Sequence, residues 1–178
     1  MKFRSFALAA SVLAIAGCAD QPQLPADPGE VRLSAAPGSD GVAQSINGNA
    51  DIDAPEGLRR MVIHARKSTD GTVSGKYIIR QEWEDGNTLE ADIVCFTIVG
   101  NRAYVGAVLT AVNGVPYEDY YSLRVVMVDN GEGANAAPDQ SSQAFAFQQE
   151  GQPQLFCNNA SLVLPLHDLV RGNLAIRP

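Results

Sequence analysis

The side chains able to do chemistry are few and scattered. Cysteines stand at 18, 95 and 157, and histidines at 64 and 167. A thiolate nucleophile needs a base within hydrogen-bond reach, usually a histidine, and the spacing puts none beside Cys95 or Cys157. Neither histidine has a second ligand at a zinc-helix spacing such as HExxH, and no GxSxG elbow accompanies the Asp168 that follows His167. His64 falls in an alternating stretch, where it is expected to face solvent. Asp129, Asn130, Glu132 and Asp139 gather oxygen ligands of the kind that hold Ca²⁺. They lack the alternate-residue pattern and distal glutamate of an EF-hand, and a polar turn uses Asp, Asn and Gly anyway. They are weak metal candidates, and the expectation is that no metal is held. Glu82, Glu84 and Asp85 surround Trp83, but a glycosidase needs a second carboxylate across a groove. Tyr117, Tyr120 and Tyr121, like Trp83, read as packing rings rather than a stacking platform. No catalytic residue and no cofactor emerge, and the reading leans away from an enzyme.

Cys18 is set apart by what precedes it. Lys2 and Arg4 make a positive start, and residues 6–16 are an apolar run broken only by Ser11. That run is too short to span a bilayer, which takes about 20 residues, but it suits the core of an export signal. Ile15-Ala16-Gly17-Cys18 follows. This resembles the lipobox of bacterial lipoproteins: an apolar residue, two small ones and an obligatory cysteine. The resemblance implies that residues 1–17 are removed and that Cys18 takes a diacylglycerol on sulfur and a fatty acyl chain such as palmitate on its new amine. More than one chain gives stable anchoring. In double-membraned hosts, Asp directly after the cysteine favours the inner membrane. Here Ala19 follows and the Asp comes at 20, which favours the periplasmic face of the outer membrane.

Removing 17 residues leaves 161 of the 178 and shifts the formal charge from −7 to −9, since Lys2 and Arg4 leave with the signal. An acidic balance argues against nucleic acid as a partner. It argues equally against an electrostatic hold on anionic lipid, leaving the acyl chains as the membrane partner and any protein or small-molecule partner open. With Cys18 lipidated, Cys95 and Cys157 remain, and an oxidising compartment favours their pairing as a disulfide.

These residues need elements to position them. Residues 19–41 hold four Pro and three Gly with little apolar periodicity and read as a tether behind Cys18. From 42 to 178 strand-like runs recur at 42–52, 59–68, 72–84, 89–100, 102–112, 119–130, 142–149 and 171–178. Asp70-Gly71, Asp85-Gly86, Gly100-Asn101 and Asn113-Gly114 mark turns between them. A short turn of helix is expected after Pro165. The fold class is all-β: about eight strands in an antiparallel meander, closed as a sandwich or a small barrel.

Beyond residue 45 the chain also resembles a family of uncharacterised exported bacterial β-domains. The carrying residues are Gly71-Thr72-Val73-Ser74-Gly75, Val94-Cys95, Val99-Gly100-Asn101-Arg102-Ala103, Val105-Gly106, the stretch from Val128 to Gly133, Pro138-Asp139, Cys157 and Arg171-Gly172-Asn173. That resemblance implies a β domain with one disulfide and no particular activity. Three functional classes follow: a tethered non-enzymatic binding or structural domain in the cell envelope, a barrel carrying a small apolar ligand, and a hydrolase with an unrecognised site. A large apolar cavity would favour the second; a histidine within reach of a Ser or Asp would favour the third.

Overall fold

β1 (Val42–Ala54) returns as β2 (Gly57–Ser68), and the Asp70-Gly71 turn sends the chain into β3 (Val73–Gln81). The Asp70 carboxylate holds that turn by accepting the Thr72 N–H at 2.8 Å. β4 (Thr88–Val99) and β5 (Arg102–Val112) flank the Gly100-Asn101 turn. At Asn113 and Gly114 φ is +53° and +75°, the conformation of a type I′ hairpin, which suits Asn and Gly and few other residues. It folds the short β6 (Val115–Pro116) back onto β5. The computed structural model describes residues 41–178 apart from 56, 82–85 and 134. The lipobox, Cys18 and all of the tether but Gly41 lie outside the described residues, as do Glu82, Trp83, Glu84 and Asp85.

Each of β1 to β5 pairs antiparallel with the next. β7 (Ser122–Val128) then pairs with the free edge of β5, β8 (Gln140–Ser142) with β7, and β10 (Leu166–Arg177) with β8. The other edge of β10 pairs with β1, so eight strands close on themselves. The meander is therefore a barrel rather than a sandwich. β9 (Phe145–Phe147) is an extra strand on β7, as β6 is on β5. The run expected at 142–149 splits into β8 and β9 because the ladder on β7 breaks between them. There the Ser142 hydroxyl, not a strand carbonyl, accepts the Val126 N–H, at 2.9 Å.

Alternation puts one face of every strand inside. Ile46, Met61, Ile63, Tyr77, Ile79, Ile93, Phe96, Val105, Val125, Met127 and Leu174 are buried in one continuous apolar cluster. Small residues between the large ones, Ala65, Ala91, Ala103 and Ala107, let the two sides of the barrel interdigitate. Side chains fill the interior.

The one helix of the described residues, α1 (Gln152–Asn158), lies before Pro165 and not after it, where it is expected. Leu166 to Val170, read as a helical turn, are instead the start of β10. The barrel needs them there: Leu166, His167 and Asp168 pair with β8, and Leu169 is buried in the core. α1 packs outside the barrel, where Tyr104 of β5 and Val126 of β7 point outward and take Phe156 against them. The Tyr104 and Phe156 rings meet edge to face at 5.9 Å. Gly106 gives the helix room. A Cβ there would lie 2.7 Å from the Cys95 sulfur and 2.8 Å from the Cβ of Pro153.

Candidate functional site

Cys95 on β4 and Cys157 on α1 are joined as a disulfide with Cα atoms 6.2 Å apart. The bond staples the helix to the barrel wall. Beside it the Arg124 guanidinium stacks 3.2 Å from the Phe147 ring centroid and 5.7 Å from that of Phe156. Burial there pulls the Arg124 pKa down, although a guanidinium stays protonated throughout the working range.

The acidic loop after β7 meets the edge of β10. β8 pairs with β10 only as far as Asp168, so beyond it the N–H groups of β10 on that side have no strand to meet. Two carboxylates meet them instead. Asp139 Oδ2 accepts the Leu174 N–H at 2.8 Å, and Asp129 Oδ2 accepts the Ile176 N–H at 2.9 Å. Their other oxygens cap the loop: Asp139 Oδ1 accepts the Asn130 N–H and Asp129 Oδ1 the Gly131 N–H, both at 2.8 Å. Asn130 donates its amide to the Pro138 carbonyl, and Glu132 accepts from Asn173. All four aspartate oxygens thus face backbone N–H donors. Among the described residues no cluster of three or more His, Cys, Asp or Glu is placed to hold a metal.

The histidines stay apart. His64 is exposed on β2, its Nδ1 3.1 Å from Asn47 Oδ1. The β10 residue level with Asn47 is Ala175, eight positions from His167, which separates the imidazoles by roughly 25 Å of strand. Asp168 accepts from Gln140 at 2.7 Å rather than orienting a histidine. Tyr117 and Tyr121 pack edge to face at 6.3 Å against the core cluster, as packing rings do. Tyr77 is buried in the core, and burial holds its hydroxyl far above the ordinary phenol range.

One charged group that no motif announces stands out on the barrel exterior. Asp51 of β1 has a side chain only 6% exposed, and Arg60 of β2 grips it with Nε at 2.9 Å and Nη2 at 3.3 Å. That hydrogen-bonded pairing, helped by the charge of Arg171, holds the Asp51 carboxyl below its ordinary pKa against the opposing cost of burial. Shallow clefts of about 310 and 420 Å³ adjoin the pair, both lined by Asp51, Arg60 and Arg171. Strand register makes this grouping, since Arg171 is distant in sequence from the Asp51–Arg60 hairpin pair.

Comparison of the chain with protein-family models, curated protein sequences and solved structures finds no match.

Proposed function

We propose that this chain is a lipid-anchored protein of the cell envelope, in which a non-enzymatic β-barrel works through its outer surface as a binding or structural domain. The observation that carries the reading is the Cys95–Cys157 bond. Of three cysteines, it leaves Cys18 as the one over, directly behind an apolar run and two small residues. A disulfide belongs to an oxidising compartment outside the cytosol, which agrees with export by residues 1–17. On this reading the acyl chains on Cys18 bind the membrane, residues 19–41 link the barrel to it, and the periplasmic face of the outer membrane is the address in a double-membraned host. The resemblance to exported β-domains of undefined activity points the same way. The filled interior favours an outer working surface over transport of an apolar ligand, and the separated histidines give a hydrolase no geometric support.

The test is metabolic labelling with an alkyne fatty acid. Wild type should carry label and partition with membranes, and Cys18→Ala should carry none and lose the membrane fraction. Label retained by Cys18→Ala, or absent from wild type, overturns the reading.

A further inference from the structure

The formal charge is −7, yet the cations are not spread evenly. Register gathers them on one wall. Arg171, Asp51, Arg60 and Arg80 stand level across β10, β1, β2 and β3. Arg177, Ser45, Arg66 and Ser74 form a second row across the same strands. Between them runs Ala175, Asn47, His64 and Lys76. Residues level with one another share a face, and Arg60, Arg66, Lys76, Arg80, Arg171 and Arg177 are all exposed. These three rows hold six Arg or Lys and one carboxylate, Asp51, whose partner is Arg60; at the wall's edges Asp53 lines the cleft with Arg60 and Arg171, and Glu132 accepts from Asn173 of β10. Lys76 is drawn to Asp92 of β4 at the wall's margin, 2.7 Å away. Arg66, Arg80, Arg171 and Arg177 have no carboxylate within ion-pair distance among the described residues. With strands about 4.8 Å apart and about 3.4 Å per residue along them, the wall measures roughly 15 by 20 Å.

We infer that this wall is a docking face for the anionic headgroups of a phospholipid bilayer, so that the barrel lies against the membrane to which Cys18 tethers it. The inference rests on the lipid-anchored reading above. Two observations choose the occupant. The guanidinium groups of Arg66, Arg80, Arg171 and Arg177, with no carboxylate within ion-pair distance among the described residues, complement phosphate, which arginine binds through paired N–H donors. The chain outside the described residues also joins this very wall: Val42 opens β1 opposite Ser68, and the Gly41 carbonyl accepts the Thr69 N–H at 2.8 Å. From Cys18 to Gly41 the chain can reach at most about 80 Å, ample for the wall to face the bilayer. Each cation at an anionic surface is worth about a fivefold gain in partitioning.

The barrel closes on itself around its own core and disulfide, and Pro37–Pro178 is one compact unit, so this unlipidated fragment can be tested alone. It is sedimented with vesicles of neutral phosphatidylcholine and with vesicles containing about one-third phosphatidylglycerol, as salt rises from about 50 to about 300 mM. The expected result is binding to the anionic vesicles alone, weakened by salt. Arg66→Gln combined with Arg177→Gln should lower it about 25-fold, while Arg102→Gln on β5, off the wall, leaves it unchanged. Equal binding to both vesicles, no binding to either, full binding by the double variant, or preference for duplex DNA over anionic vesicles overturns the inference. Labelling of Cys18 without vesicle binding removes the docking face and keeps the anchor. Vesicle binding without labelling does the reverse.

Discussion

Replacing Asp139 should destabilise the barrel more than any other single polar change on the closing seam. Its carboxylate is buried, at 6% exposure, and each oxygen holds one backbone N–H at 2.8 Å, from Asn130 and from Leu174. Asn at this position keeps the shape and removes the match. An amide offers one oxygen and one NH₂, so one of the two N–H groups must face another donor. A buried donor left unsatisfied costs about 1–3 kcal/mol, and the lost hydrogen bond was to a charged group, so Asp139→Asn should cost about 3 kcal/mol. Asp139→Ala strands both donors and should cost about 4 kcal/mol. At about 3 °C per kcal/mol for a domain of this size, the melting temperature should fall by about 9 °C for Asn and about 12 °C for Ala. Far-UV circular dichroism of the oxidised Pro37–Pro178 fragment reads both values. An Asn variant melting within about 2 °C of wild type would refute the account, because only an unmet donor separates the two side chains. So would a wild-type melting temperature that rises with millimolar Ca²⁺ and a variant whose does not, which would return these carboxylates to the role of ligands.

Two further predictions concern the exterior. Joint replacement of Cys95 and Cys157 by Ala removes a bond closing 62 residues and should cost roughly 4 kcal/mol on the chain-entropy account. Protease cuts should then appear first around α1, and a double variant as resistant as the oxidised parent would contradict the staple. Asp51 is held below its ordinary pKa of 3.8 mainly by its hydrogen bonds from Arg60. Its contribution to stability is therefore present at neutral pH and lost as pH falls through the lowered folded-state value. The melting-temperature gap between wild type and Arg60→Gln should be widest near neutral pH and close under acid; a gap that widens there would overturn the assignment.

Local chemistry was readable in advance and long-range chemistry was not. Asp70-Gly71, Gly100-Asn101 and Asn113-Gly114 act through their own backbone, so the hairpins they make lie where the turn residues say. Strand existence followed from alternation for the same reason. The disulfide was readable by counting thiols. Barrel closure depends on β8 meeting β10 and on β1 meeting β10, pairings across long stretches of chain that alternation cannot rank. α1 has seven residues, too few for a helical period to emerge, and its stability comes from Tyr104, Val126 and the disulfide rather than from its own sequence. The backbone-holding role of Asp129 and Asp139 was not legible because the N–H groups they satisfy, at Ile176 and Leu174, lie 47 and 35 residues away.

Charge shows the same division between local and long-range information, with a sharper consequence. An acidic total argues against anionic partners only if the charges are mixed, because a surface responds to the field within about a Debye length, about 8 Å at physiological salt. Strands separate charges from their sequence neighbours by placing alternate residues on opposite faces and by bringing distant ones level. Arg60, Arg66, Arg171 and Arg177 come from opposite ends of the domain, and antiparallel pairing with β1 alone brings them together. Asp129, Glu132 and Asp139, which lower the total, belong to the loop at the other edge of β10. A bilayer facing β1 meets the cations at close range and those carboxylates at the margin beyond β10, where Glu132 accepts from Asn173, so the distribution, not the sum, decides whether the two surfaces attract.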